Sequence, residues 1–224
     1  MRLVVGMTGA TGAVIGVRVL QALRTLEVET HLVVSQWARA TIEMETEYSV
    51  HDVRELADKV YGPKDQAAAI SSGSFRTDGM LVVPCSMKTV AAIRIGYGDG
   101  LIARAADVTL KERRRLVLVP RETPLSEIHL ENMLALSRMG AVMVPPMPAF
   151  YHRPESVEEV VDHIVARVLD QFGLELPHTR RWKGPLPRSN GAASGHDASA
   201  DVPGTTAGEC ERFPEGAPHA TAIR

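Results

Sequence analysis

Residues 82–92 read Val82-Val83-Pro84-Cys85-Ser86-Met87-Lys88-Thr89-Val90-Ala91-Ala92, an apolar run that ends at a proline and continues into a polar helix start. The chain begins in the same way, with an apolar run from Leu3 to Met7 followed by the turn Thr8-Gly9-Ala10-Thr11-Gly12. The first turn of a helix leaves backbone N–H groups without partners and carries the positive end of the helix dipole, so it can hold an anion. A pair of such turns in one chain predicts a phosphorylated ligand.

Strand and helix signals alternate along the chain, which predicts an α/β fold with a Rossmann-like, doubly wound parallel sheet. The predicted strands are Arg2–Met7, Thr30–Val34, Met80–Val83, Leu116–Pro120 and Ala141–Val144. The predicted helices are Ala13–Leu26, Gln36–Glu45, Met87–Ile95, Leu101–Lys111, Ser126–Met139 and Val157–Phe172. Ligands on such sheets bind at the carboxyl ends of the strands, and we expect every motif considered below to lie there.

The length of 224 residues fits one domain with a tail. We expect the domain to cover residues 1–183. Residues 184–224 are a low-complexity tail, rich in Gly, Ala, Ser, Pro and Thr, with too few large apolar residues to offset the entropy of ordering. We therefore predict that this tail is disordered.

Charge and composition exclude several classes of partner. The net charge of -2 gives no excess of positive charge for nucleic acid or a membrane surface. No apolar run approaches the roughly 20 residues that span a bilayer, and no signal pattern opens the chain, so we expect a cytoplasmic protein. The two cysteines, Cys85 and Cys210, do not suggest a disulfide framework.

The glycine turn after the first strand favours a mononucleotide over a dinucleotide. Gly9, Gly12 and Gly16 follow the spacing G-x-x-G-x-x-x-G, which differs from the dinucleotide fingerprint G-x-G-x-x-G. That fingerprint also requires an acidic residue after the second strand, and this chain has Ser35 there. A mononucleotide phosphate or a ribityl chain fits better. From the turn alone, a tight strand-to-helix connection that needs glycine for packing is an equal alternative.

Polar and charged groups follow other predicted elements. Ser86, Lys88 and Thr89 can hold a phosphate, although Ser86 could be an ordinary helix N-cap beside a solvated lysine. Arg121 and Glu122 follow a buried strand directly, where Arg can bind phosphate and Glu can carry a proton. The run Lys111–Arg115 ends a helix, where cations complement the helix dipole.

Two further candidates lie near the end of the domain. Tyr151 follows the stiff, proline-rich segment 145–150, which would fix an aromatic ring at the rim of the site. Arg167 lies on the last helix among apolar residues, where a surface arginine lying along its neighbours is the alternative.

Taken together, these segments resemble the flavin prenyltransferases (the UbiX family), within the flavoprotein superfamily that also holds flavin-dependent cysteine decarboxylases. The resemblance runs from about Arg2 to Gly184. It is carried by Thr8-Gly9-Ala10-Thr11-Gly12, Ser71-Ser72-Gly73-Ser74-Phe75, Pro84-Cys85-Ser86-Met87-Lys88-Thr89, Arg104–Arg114, Val119-Pro120-Arg121-Glu122-Thr123-Pro124 and Phe150-Tyr151-His152-Arg153-Pro154. Several motifs in the same order make this resemblance far more specific than any one of them.

The resemblance implies an activity. An enzyme of this family joins a dimethylallyl group from dimethylallyl phosphate (in some members the diphosphate) to N5 and C6 of reduced FMN and closes a fourth ring. The prenylated FMN then serves a UbiD-type decarboxylase as its cofactor. No metal is implied. The relatives form homo-oligomers, with dodecamers whose sites lie between subunits.

The resemblance also implies roles for individual residues. The flavin would be lined by Gly9, Ala10, Thr11, Ser35, Ser86, Met87, Lys88, Thr89, Arg104 and Arg121. The prenyl phosphate would be held by Lys111, Arg121, Glu122, Tyr151 and Arg167, from more than one subunit, with Trp182 in a segment that can cover the site. Glu122, Lys111 and Arg121 would be catalytic, with Glu122 managing the proton on the departing phosphate and at N5. Many relatives have serine where this chain has Thr11.

Two alternatives remain at this point. A flavin-dependent cysteine decarboxylase of the same fold would carry asparagine-containing turns, whereas this chain has Ser86-Met87-Lys88 and Pro146-Met147-Pro148. A non-catalytic subunit that carries flavin for an aromatic acid decarboxylase would need no prenyl-phosphate residues. Both alternatives are weaker than the transferase hypothesis.

Overall fold

The structure is a computed structural model that describes residues 1–177, 181, 182 and 184. Its strands are β1 (Arg2–Met7), β2 (Glu29–Val34), β3 (Lys59–Tyr61), β4 (Gly79–Cys85), β5 (Arg115–Pro120) and β6 (Val142–Met143). Its helices are α1 (Ala13–Thr25), α2 (Gln36–Glu45), α3 (Val50–Glu55), α4 (Met87–Arg94), α5 (Leu101–Lys111), α6 (Glu127–Arg138) and α7 (Val157–Leu169). Short 3-10 turns lie at Ala69–Ser71 and Asp170–Phe172.

The six strands form one sheet in the order β3-β2-β1-β4-β5-β6, and every pair is parallel. This order reverses between β1 and β4, as in a doubly wound fold, so the crevice for a ligand opens where the carboxyl ends of those two strands meet. The predicted fold class is confirmed. All seven residues of β4 are buried, as expected for a central parallel strand covered on both faces.

The elements that the sequence did not predict are short. Helix α3 and strand β3 have six and three residues, too few to show a clear periodicity. Strand β6 is also shorter than predicted, with two residues instead of the whole segment 141–144. The last helix ends at Leu169 because the chain tightens there into a 3-10 turn. The predicted disordered tail lies almost entirely outside the described residues, as does Cys210.

Helices cover both faces of the sheet and enclose separate apolar layers. The first layer packs α1 and α7 against one face, with Leu20, Leu23 and Leu169 fully buried. The second packs α4, α5 and α6 against the other face, with Leu101 and Leu136 fully buried. Each such leucine contributes about 2 kcal/mol of transfer free energy. The two layers hold the strand ends in fixed register, so the turns that follow the strands are presented from a rigid base.

Gly16 sets how closely α1 approaches the sheet. A Cβ atom at this position would lie 2.6 Å from Met7 Cε and 2.8 Å from the carbonyl oxygen of Val83. Only glycine therefore lets the helix rest this close to β1 and β4. The packing alternative for the glycine spacing thus accounts for Gly16. Among the described residues, none of the helices has the length and apolar content that crossing a bilayer would require.

Candidate functional site

The turns after β1 and β4 are bound to each other through Thr8. The buried Thr8 hydroxyl donates a hydrogen bond to the Pro84 carbonyl (2.9 Å) and accepts one from the Ser86 backbone N–H (2.8 Å). A threonine at the end of one central strand thus fixes the peptide that begins α4. The turn Gly9–Gly12 and the turn Ser86–Thr89 consequently lie side by side at the carboxyl edge of the sheet.

The first turn of α1 already holds an anion from the protein itself. The Glu45 carboxylate, at the end of α2, accepts hydrogen bonds from the backbone N–H groups of Gly12 (2.8 Å) and Ala13 (2.9 Å). These N–H groups are therefore satisfied within the chain, because a carboxylate complements the helix dipole there, and a phosphate at this helix start would have to displace it. Gly9, Ala10 and Thr11 remain accessible in the turn. Nothing in the spacing of the sequence indicated Glu45.

The starts of α2 and α4 at this edge are capped by serine. Ser35 begins α2 and its side chain accepts from the Ala38 N–H, while Ser86 begins α4 and accepts from the Thr89 N–H. The Ser86 and Thr89 hydroxyls are 3.1 Å apart. The N-cap role is thus present, and it leaves hydroxyl protons at both helix starts that can also meet a ligand.

Within the Ser86–Thr89 turn, the neighbouring side chains diverge. Lys88 is exposed and forms no ion pair with any residue that the structure describes. Met87 is buried in the apolar layer under α4, so it could reach a ligand only through its backbone. Any flavin contact of Met87 would therefore be made by its backbone.

Trp37, which the sequence reading missed, lies against Gly9 in the glycine turn. Gly9 has no room for a Cβ atom, because the Cβ of Trp37 already occupies that space. Trp37 is 69% exposed. An exposed tryptophan next to a backbone-only turn is a flat apolar surface that a ring system could contact. Its place in the first turn of α2, two residues after Ser35, was the available signal.

Arg121 and Glu122 follow β5 and lie next to the β4 turn. The Arg121 backbone N–H donates to the Cys85 carbonyl at 3.1 Å, which joins the ends of the two strands. Both side chains are exposed, and Arg121 forms no ion pair with a described residue. Among the described residues, the Glu122 carboxylate accepts a hydrogen bond from the neighbouring Thr123 N–H alone. An arginine without a counter-ion beside a solvated carboxylate can bind a phosphate and exchange a proton with it.

Lys111 does not join this cluster. Lys111 is the last residue of α5 and lies four residues before β5 begins. Its Nζ contacts the Glu112 carboxylate and lies beside Gly73. Arg121 follows the other end of β5, and a six-residue strand spans about 17–20 Å. The expectation that every motif lies at the carboxyl edge is therefore wrong for Lys111. Helix α5 runs back along the sheet and carries its last residue to the amino edge.

Arg104 lies on α5 and already has partners within the chain. Its Nε donates to the Ser71 carbonyl (3.1 Å) and its guanidinium pairs with Asp107 (2.7 Å). These contacts hold the guanidinium against the loop that precedes β4. Any contact with a flavin would therefore use the remaining N–H groups of a side chain that is already oriented.

Tyr151 and Trp182 come together beside α7, the helix that carries Arg167. Trp182 packs edge-on against the Tyr151 ring with 5.3 Å between centroids. The Tyr151 hydroxyl oxygen lies 3.4 Å from His163 Nε2. Arg167 lies one helical turn after His163 on the same helix. Asp170 accepts from Arg167 (2.6 Å) and from Arg181 (2.7 Å), which precedes Trp182.

The pKa of Asp170 reflects this sharing. Burial acts to raise the pKa of the Asp170 carboxyl, but hydrogen bonds and positive charge from Arg181 and Arg167 outweigh burial and hold the pKa below its ordinary value. The sequence reading missed both His163 and Asp170. Their positions at four and three residues from Arg167 were the only signal, since such spacings share a helix face.

The described residues contain no cluster of three or more His, Cys, Asp or Glu side chains that could hold a metal ion. The carboxyl edge instead presents cations, serine and threonine hydroxyls, and the exposed Glu122 carboxylate. Cys85 is fully buried, and burial raises the pKa of its thiol far above the ordinary value, so it is inert as a nucleophile.

The chain is similar to known flavoproteins over most of its length. A flavoprotein family model matches residues 1–169. A probable UbiX-like flavin prenyltransferase of Escherichia coli is 71% identical over 190 residues, which cover 84% of this chain and 96% of that protein.

Two solved structures match equally well in their folds. A dodecameric FMN-dependent UbiX-like decarboxylase from Escherichia coli O157:H7 has a TM-score of 0.81 and 71% identity, covering 82% of this chain and 100% of that one. A UbiX protein in complex with FMN and dimethylallyl pyrophosphate has a TM-score of 0.81 and 62% identity, covering 82% of this chain and 97% of that one. The chain therefore belongs to the flavoprotein family and, within it, to the UbiX-like flavin prenyltransferases.

Proposed function

We propose that this protein joins a dimethylallyl group from dimethylallyl phosphate to N5 and C6 of reduced FMN. The observation that carries the proposal is the juxtaposition at one sheet edge of two serine-capped helix starts and the Arg121-Glu122 pair. A phosphate-bearing flavin and a second phosphate fit such an edge. The related structure that holds both FMN and dimethylallyl pyrophosphate supports the same two classes of substrate.

The flavin phosphate and ribityl chain would lie against Ser35, Ser86 and Thr89. These hydroxyls can each donate to a phosphate or ribityl oxygen, and Lys88 adds charge that no described carboxylate neutralises. Because Glu45 occupies the start of α1, the phosphate would bind at α2 and α4. The turn Gly9–Thr11 would present its backbone to the ring system, next to Trp37, whose Cβ lies against Gly9.

The prenyl phosphate would be held by cations that are in place before its bond breaks. Arg121 supplies positive charge from the same chain, and Lys111, Arg167 and the Tyr151 hydroxyl would come from neighbouring subunits. Preorganised donors at a leaving group stabilise the charge that develops there and require no metal. Glu122 would hold and release the proton that the departing phosphate and N5 exchange.

The reduced flavin supplies the electron-rich ring that accepts the prenyl group, so the protein needs no nucleophilic side chain. The task of the protein is to orient the two substrates and exclude water. Trp182 would contribute to that exclusion because it already packs on Tyr151. A homo-oligomer is required by this arrangement, and the dodecamer of the relative is the model for it.

We further propose that the product, prenylated FMN, passes to a UbiD-type decarboxylase in the cytoplasm. The test of the transferase activity uses FMN reduced anaerobically with the protein, followed by dimethylallyl phosphate. Mass spectrometry of the flavin should show a gain of one five-carbon prenyl unit. Unchanged FMN would contradict the proposal and favour a carrier of flavin for a decarboxylase.

The same assay addresses the cysteine decarboxylase alternative. Consumption of a peptide with a C-terminal cysteine, without a change in flavin mass, would favour that class. The absence of asparagine from the turns Ser86–Thr89 and Pro146–Ala149 argues against it.

A further inference from the structure

His163 is a buried polar residue that has no role in the proposed reaction described above. It lies on α7, is 9% exposed, and contacts the Tyr151 hydroxyl through Nε2 at 3.4 Å. The inference drawn from it rests on the proposed function, since it concerns how Tyr151 meets the prenyl phosphate.

The surroundings of the imidazole leave Tyr151 as its polar neighbour at Nε2. The His152 ring is tilted against it with 4.7 Å between centroids, and the Tyr151 ring meets it edge-on at 5.6 Å. The other ring nitrogen, Nδ1, is buried and has no hydrogen-bond partner among the described residues. The ring is therefore held by packing, with its Nε2 directed at the phenol oxygen.

The charge state of the ring limits which atom donates. Burial lowers the pKa of His163, the neighbouring His152 and Arg167 lower it further, and the smaller opposite effect of the Asp170 carboxylate does not reverse this direction. A neutral imidazole carries one N–H, on either Nδ1 or Nε2. A Tyr151 hydroxyl that binds a phosphate oxygen must donate its own proton to that oxygen. The phenol oxygen can then only accept from His163, which requires the proton on Nε2.

We propose that His163 is a positioning residue that donates Nε2–H to the Tyr151 phenol oxygen and so directs the Tyr151 hydroxyl proton toward the prenyl phosphate. Arg167 lies one helical turn further along α7 and presents its cation on the same side. The separation of 3.4 Å is long for a hydrogen bond. Such contacts commonly shorten when substrate binds, and phosphate binding at Tyr151 would make its oxygen a better acceptor.

The test compares His163→Gln with His163→Asn. A glutamine amide nitrogen reaches about as far as histidine Nε2, whereas an asparagine amide reaches only as far as Nδ1. Binding of dimethylallyl phosphate to the protein with oxidised FMN, which cannot react, is measured by calorimetry. We expect His163→Asn to weaken this binding about 5- to 10-fold, the loss of one hydrogen bond. His163→Gln should stay within about 2-fold of the unchanged protein, and FMN affinity should not change in either variant.

A double-mutant cycle with Tyr151→Phe separates positioning from general packing. The Tyr151 side chain is part-exposed, so Tyr151→Phe is expected to fold and to lose dimethylallyl phosphate affinity by the same factor. His163→Asn should add nothing in the Tyr151→Phe background. Additive losses, equal losses for Gln and Asn, or unchanged binding by Tyr151→Phe would each overturn the proposal. If His163→Asn fails to fold, unchanged binding of dimethylallyl phosphate by Tyr151→Phe would still overturn the proposal.

The outcomes also separate this proposal from the proposed function. If the unchanged protein does not prenylate reduced FMN, the proposed transferase function is wrong. If it does, and the cycle is additive, only the role of His163 is wrong.

Discussion

Arg121 and Glu122 are two residues at the carboxyl edge of the sheet for which the sequence alone indicated a chemical role. They directly follow a buried strand, and an Arg beside a Glu at such a position is expensive to bury unless the two are used or paired. Both side chains are exposed in the single chain, so the cost of burial would arise only when substrate or a neighbouring subunit covers them. That exposure leaves the Glu122 carboxylate free to exchange protons with a bound phosphate.

Replacing the Glu122 carboxylate tests its proton role. Glu122→Gln keeps the size and polarity of the side chain but cannot accept a proton, so we expect prenylated FMN to form at least about 100-fold more slowly. FMN binding, followed by fluorescence titration, should be unchanged. Glu131→Gln, on the exposed side of α6, is the matched control and should react at the normal rate. A normal rate for Glu122→Gln would remove the residue from the mechanism.

Among the elements, the close approach of α1 to the sheet depends on one missing methyl group. A Cβ atom at Gly16 would meet the backbone oxygen of Val83, which cannot move without distorting β4. Gly16→Ala should therefore lower the free energy of unfolding by about 1–3 kcal/mol. Gly62→Ala is the control, since its Cβ would lie 3.8 Å from Asp65 Cβ and meet no clash. Urea unfolding of both variants checks the difference, and equal stability would contradict it.

The amino edge of the sheet contains an ion pair whose contribution to the free energy of unfolding depends on pH. Hydrogen bonds from Arg2 and His31 lower the pKa of Glu29 to about 2. Because this pKa is below that of the unfolded chain, the contact stabilises the fold above about pH 4.5 and is lost as the pH falls toward about 2.

Glu29→Gln tests that contribution. Since the Glu29 side chain is 41% exposed and screened by solvent, we expect a loss of only about 1 kcal/mol at pH 7. The difference in stability between this variant and the unchanged protein should shrink between about pH 4.5 and pH 2. Glu43→Gln, exposed on α2, should show no such trend. Thermal unfolding at pH 7 and pH 3 gives the measurement.

Periodicity predicted the strands and helices that are long, and local chemistry predicted the turns that join them. The central strands β1, β4 and β5 were expected within a residue or two because they are continuous apolar runs. Strand β3 pairs through only three residues at the sheet edge, and its stability comes from β2 beside it, which local sequence does not report. Glu45 was missed for a related reason, since its contacts lie 32 and 33 residues away.

At the scale of the whole molecule, the residues expected to bind the prenyl phosphate lie at opposite edges of the sheet in one chain. Arg121 and Glu122 belong to the carboxyl edge, whereas Lys111 belongs to the amino edge. If the prenyl phosphate uses both, the two halves must come from different chains. The resemblance implied such sharing, and the length of β5 gives its physical reason.

Mixing defective subunits tests this sharing. Lys111→Ala and Glu122→Gln chains, each inactive alone, are unfolded together and reassembled in equal amounts. A site that takes these residues from two chains should be intact in about a quarter of cases after random assembly. A mixture of Arg121→Ala with Glu122→Gln is the control and should stay inactive, because those residues come from one chain. No recovery in the first mixture would contradict a shared site.

The strand order of this sheet is the one on which many enzymes hold a dinucleotide, with its pyrophosphate at the start of the first helix. Here the carboxylate of residue 45 is bonded to that helix start. A pyrophosphate brought to the same amides would face like-charge repulsion and would have to displace two hydrogen bonds. One acidic side chain thereby sets this scaffold apart from the nicotinamide-dependent dehydrogenases that share its topology.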